Sequence, residues 1–263
     1  MTTDYTLQYR GAAASIFVHI LLLFVGFTIL ASVFEFPDIL RQTAPYRLNL
    51  YRDNQAIVQP TYWLLAMTGF TQIAMAVFLF RSFRDRDTTV LTFALLFGVL
   101  TGILQALGFI RWAILIPYLA EQMTAPTTTA TTREAIALIE GAFNHYAGMA
   151  VGEHTANICL GLWTLLLSVA MLRSYLFDSR LAWVGILLSP LAFILALEQL
   201  GLSGWLLDVV TDFGFPAWAV WLLVVAVSLL RTRPESGEGP RLTGKTLIWV
   251  VLLYILMILP AVV

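Results

Sequence analysis

Asn157 follows His154 by three residues and Glu153 by four, all within EGAFNHYAGMAVGEHTANICLGLWTLLLSVAMLR, residues 140–173. On a helix Asn157 can neighbour either of the other two. The stretch is otherwise long and apolar enough to cross a bilayer. An ionisable side chain in lipid is costly, so it marks a functional site by default. Arg111 and Glu198 are embedded in apolar runs in the same way, and so are His19, Gln72 and Gln105. A carboxylate or imidazole in such a place can exchange a proton, and a guanidinium fork can hold an anionic group. The same residues can also lock a bundle as a buried ion pair. The pairing expected is Arg111 with Glu198, leaving Glu153 to orient His154.

Other chemistries find less support. His145 and His154 are nine residues apart, about 180° around a regular helix, so they do not share a metal ion. The chain contains no HxxxH, HExxH or GxSxG, and Cys159 is the only cysteine. No metal site is expected. Haem b held between His19 and His154 is an alternative, with one axial histidine from each of two helices.

The elements that must position these residues are membrane spans. Of 263 residues 59% are hydrophobic and 12% charged, against about 25% charged in a soluble domain. Net charge is −1, which excludes a basic chain built for nucleic acid. An all-α, polytopic bundle in a single domain is expected, with seven spans near 12–34, 61–80, 89–119, 147–172, 181–201, 215–230 and 245–262. Thr131 and Glu134 have capping-box spacing at the start of the fourth span's lead-in helix. Pro190 should kink the fifth span and Pro216 should open the sixth. Tyr46 and Tyr51 are expected at headgroup level, and Trp63, Trp112, Trp183, Trp205 and Trp218 in an aromatic belt. Gly98 and Gly102 form a GxxxG that lets another helix approach closely.

Seven spans divide the loop cations ten to four between the two sides, the ten falling with the N-terminus. The positive-inside rule then puts the N-terminus in and the C-terminus out. At ~1.5 Å per residue, Arg111 and His154 each lie about 12 Å below the outer face. Arg111, Glu153, His154 and Glu198 thus form an outward-facing polar pocket, which Gln105, Asn157, Gln72 and His19 extend toward the midplane.

Several stretches together resemble a bacterial family of integral membrane proteins, domain of unknown function 4386. They are VFEFPDILRQ after the first span, QAIVQPTYWLLAMTGFTQIAMAVFLF, ALLFGVLTGILQALGF, SRLAWVGILLSPLAFILALEQL and FPAWAVWLLVVAVSLLR. The resemblance covers about 12–232 as a pattern of spans. It implies a six-span membrane protein of the bacterial cytoplasmic membrane, from which a span at 245–262 departs, and it implies no reaction.

With no catalytic signature, the first reading is a non-enzymatic binding module or an accessory subunit of a membrane complex, surrounded by lipid and with other membrane subunits as partners. Two alternatives use the same residues. One is an enzyme acting on a lipid or quinone-like substrate, with Glu153 or His154 moving a proton and Arg111 holding an anion. The other is a transporter of small solutes.

Overall fold

The computed structural model describes residues 5–83, 89–201, 203–232 and 248. Among these residues all the regular structure is helical, without strands. The long helices are α1 (Thr6–Val33), α3 (Gln55–Ser82), α4 (Thr89–Thr124), α6 (Ala156–Leu172), α7 (Ser179–Glu198) and α8 (Trp205–Arg231), with the shorter α2 (Ala44–Asp53) and α5 (Ala130–Phe143). A 3₁₀ turn, Asp38–Arg41, precedes α2, and a π-helix, Asn144–Thr155, joins α5 to α6 without a break. Six continuous helices are long and apolar enough to cross a membrane: Thr6–Val33, Gln55–Ser82, Thr89–Thr124, Ala130–Leu172, Ser179–Glu198 and Val209–Arg231. The expected span 245–262 lies outside the described residues.

The six spans pack as a ring in chain order: α1 on α3, α3 on α4, α4 on α6, α6 on α7, α7 on α8, and α8 back on α1. Closest approach falls at glycines. A Cβ on Gly98 would meet Ala76 and Trp163, and one on Gly102 would strike the Gly69 carbonyl oxygen. The GxxxG face is therefore consumed inside the chain, seating α4 against α3 and α6.

Two large apolar cores pack the ring from opposite ends, beside a smaller cluster of Leu195, Leu207 and Val210. One gathers Ile16, Met75, Trp163, Leu167, Trp221 and Leu222. The other, at the end carrying α2 and α5, gathers Leu30, Phe34, Tyr51, Tyr62, Trp112 and Ile136. Trp112 stacks on Tyr62 at 4.9 Å between ring centroids, and Phe34 meets it edge-on at 5.4 Å. This corrects the aromatic-belt expectation for two residues. Trp112 and Trp218 are core side chains, whereas Trp63, Trp183 and Trp205 are exposed. Tyr51 likewise is enclosed, donating its hydroxyl to the Trp112 carbonyl oxygen at 2.8 Å, and of the two tyrosines only Tyr46 is exposed.

Boundaries differ where polar residues are absorbed into helices. α3 begins at Gln55 and runs through Pro60. α8 begins at Trp205, so Pro216 is internal to it. The cap of α5 is Thr129, whose hydroxyl accepts from Thr132 N–H at 3.2 Å, two residues before the threonine expected from the capping-box spacing.

Candidate functional site in the polar layer of the π-helix

The π-helix is what assembles the charged residues. Its i→i+5 backbone bonding, seen where the Ala156 N–H reaches Val151 O, winds more residues into each turn than an α-helix. Two glycines let neighbours in. A Cβ on Gly148 would overlap the Arg111 guanidinium, and one on Gly152 would stand 2.7 Å from the Gly108 Cα. α4 thus lies directly on the π-helix, and the Arg111 side chain enters over Gly148.

Arg111 is 9% exposed. Its Nη1 donates to the Gly108 carbonyl oxygen and its Nη2 to Asn144 Oδ1 at 3.1 Å. Its guanidinium carbon stands 5.3 Å from the Trp112 ring centroid, within range of a cation–π contact. Nε has no partner, nor does the buried hydroxyl of nearby Tyr62. The carboxylates whose charge acts on Arg111 are Glu153 and Glu140. Among the described residues none pairs with it directly.

Glu198, the expected partner, is bound instead by Arg41 at 3.1 Å. The reason lies in the 3₁₀ turn, which carries Arg41 across the end of α7 where Glu198 ends the helix. Glu153 does not orient His154 either: its Oε2 accepts from Gln199 Nε2 at 2.5 Å. His154 bonds through Nδ1 to the Ala196 carbonyl oxygen at 2.8 Å, tying the π-helix to α7. His145 turns away to Gly141 O at 2.9 Å. The half-turn argument for separating the two histidines does not apply to a π-helix, and their different backbone partners do that work instead. Among the described residues no three His, Cys, Asp or Glu side chains gather as a metal site.

The remaining candidates lie deeper. His19 bonds through Nδ1 to Thr68 O at 3.1 Å and Thr71 Oγ1 at 2.8 Å, and its ring meets Trp218 edge-on. Gln72 is fully enclosed, Gln105 and Asn157 partly so. The eight residues thus lie at two heights along the bundle: Arg111, Glu153 and His154, with Glu198 at the end of α7, and farther from that end Gln105, Asn157, Gln72 and His19. An open groove of about 550 Å³ at the α2 end, lined by Pro45, Asn49, Met123, Thr124, Arg133, Glu134 and Ala137, includes none of them.

Sequence reasoning misses the most enclosed ion pair among the described residues. Arg47 donates through Nε to Glu140 Oε1 at 2.9 Å and through Nη2 to Glu140 Oε2, while its Nη1 reaches Gln42 O. Arg47 reads as a loop charge in sequence, but α2 lays it on α5. Glu140 carries a signal, since it shares a helical face with Ile136. Asn144, Gly148, Tyr62 and Gln199 carry none that separates them from other polar or small residues.

Fold and site together define a polytopic helical membrane protein with a polar layer buried in its bundle. The chain belongs to the family described as Domain of unknown function (DUF4386), whose sequence profile matches residues 12–226. No curated protein and no solved structure matches it.

Proposed function

We propose that this chain is a membrane-embedded binding module, alone or as a subunit of a larger membrane complex, whose site is the Arg111 layer. One observation carries the reading. Arg111 is a permanent cation more than nine-tenths buried, yet it faces two neutral oxygens, with its Nε and the Tyr62 hydroxyl unpartnered. A guanidinium cannot lose its proton to escape this cost. Two unused donors beside a positive charge suit an anionic group, a carboxylate or phosphate. In this reading the site faces the outside of a bacterial cytoplasmic membrane, the N-terminus is cytoplasmic, and no cofactor is required.

Native mass spectrometry of the protein released from its own membranes tests this. An anionic species should stay bound to the wild type and be lost from both Arg111→Gln and Tyr62→Phe. Retention of the same species by a folded Arg111→Gln variant would remove the site from Arg111. A Soret band in the visible spectrum would replace the reading with the haem alternative.

A further inference from the structure

The lower level is short of hydrogen-bond partners in a different way. Gln72 is 1% exposed, and neither its amide nitrogen nor its oxygen meets a partner. Gln105 leaves its Oε1 unmatched as well. Glycine contacts set the depth of these groups. Gly98 packs against both Ala76 and Trp163, and Gly108 packs against Gly152. Gln105 falls between those two contacts on α4 and Asn157 between them on α6, while on α3 Gln72 falls between Ala76 and Gly69, which packs on Gly102 and Ala106. His19 joins the same level from α1 through its bonds beside Thr68 and Thr71. Trp218 closes it from across the ring, donating its Nε1 to Thr164 Oγ1 at 3.1 Å.

The roles can be counted. Thr68 O can only accept, so His19 carries its proton on Nδ1 in the neutral ring, and Nε2 is its remaining hydrogen-bonding atom. Gln72 offers one unmatched donor group and one unmatched acceptor, and Gln105 a second acceptor. Exchanging nitrogen and oxygen of the Gln72 amide leaves its count unchanged. An enclosed amide left open at both atoms costs more than a formed bond returns. A carbonyl ligand would satisfy the donor and leave both oxygens open. A charged ligand would meet only amides and an imidazole, with no counter-charge at this level. A hydroxyl accepts from the amide nitrogen and donates its one proton to one of the oxygens. A water molecule, with two protons to give and lone pairs to accept, matches one donor and two acceptors in number.

We propose that the level of His19, Gln72 and Gln105 is a second binding site, separate from Arg111, that takes a neutral hydroxyl ligand. Its source is either ordered water or the hydroxyl of a membrane amphiphile. Two measurements on the wild type distinguish them. Met75, fully buried one turn from Gln72, should be modified in radiolytic hydroxyl-radical footprinting if water occupies the level. A bound neutral mass in native mass spectrometry identifies an amphiphile. Gln72→Met, apolar and similar in length, should abolish whichever signal is seen and lower the unfolding midpoint by about 2–4 °C per hydrogen bond lost. An unmodified Met75 with no bound neutral mass in the wild type overturns the proposal, whether or not the variant folds. A rise in the midpoint of Gln72→Met does the same, because it means that the amide was unmatched.

Discussion

At the level of single side chains, burial separates two kinds of arginine in this protein. Arg47 and Glu140 are both enclosed and meet in a bidentate pair. Removing one partner leaves the other charge uncompensated, which costs about 3–5 kcal/mol. Arg47→Met and Glu140→Gln should each destabilise the protein in detergent by that order. The double variant should lose much less than the sum, as a thermal double-mutant cycle would show; strict additivity would mean the pair is not formed. The exposed Arg41–Glu198 bridge should contribute no more than about 1 kcal/mol. Tyr46 supplies a pH test outside the spans. Its hydroxyl bonds both Glu35 oxygens at 3.0 Å, and this bond, with the adjacent negative charge, raises the phenol above its ordinary value. A raised value in the folded state means the bond's contribution is complete below about pH 10 and is lost as pH climbs through the raised value. The phenolate absorbance that disappears in Tyr46→Phe should titrate later in the wild type than in Glu35→Gln.

Among the elements, the π-helix decides where the charges go, and it is the part least visible beforehand. NHYAGMAVGEHT has neither proline nor an insertion to announce a change of winding. Treating it as a regular helix sets Arg111 and Glu153 at a similar depth but misdirects their side chains, since Glu153 accepts from Gln199 and Arg111 reaches Asn144. The apolar runs of the spans are readable because hydropathy needs no partner to be seen. The Arg41–Glu198 and Arg47–Glu140 bridges are not, because each joins residues that lie far apart in the chain. The element itself can be tested at its tightest point. A methyl at Gly152 would stand 2.7 Å from the Gly108 Cα, and a methyl at Gly108 stands equally close to Gly152. Gly152→Ala and Gly108→Ala should each cost about 1–3 kcal/mol by overpacking. Gly141→Ala, which meets nothing, should be neutral by the same unfolding measurement. Equal midpoints for all three would show that α4 and the π-helix are not in backbone contact.

For the whole molecule, a ring closed by α8 on α1 accounts for why residues from every span reach one interior. Its orientation in the bilayer rests on the arginine asymmetry. A single cysteine at Thr128, placed after Cys159 is replaced, should be labelled from outside the cell. Labelling only from the cytoplasmic side would invert the site and place the Arg111 layer toward the cytoplasm. The helix Ala130–Leu172 runs 43 residues without a break, or ~60 Å, about twice the ~30 Å of hydrocarbon. With its α5 portion the helix is therefore longer than the hydrocarbon alone requires. The Arg47–Glu140 pair ties α5 to α2 near the C-terminal end of α5, and the π-helix follows immediately. One unbroken helix thus carries both enclosed arginine contacts, Arg47 on Glu140 and, about a turn farther on, Arg111 on Asn144 and over Gly148, so that a shift of the first is a shift of the second.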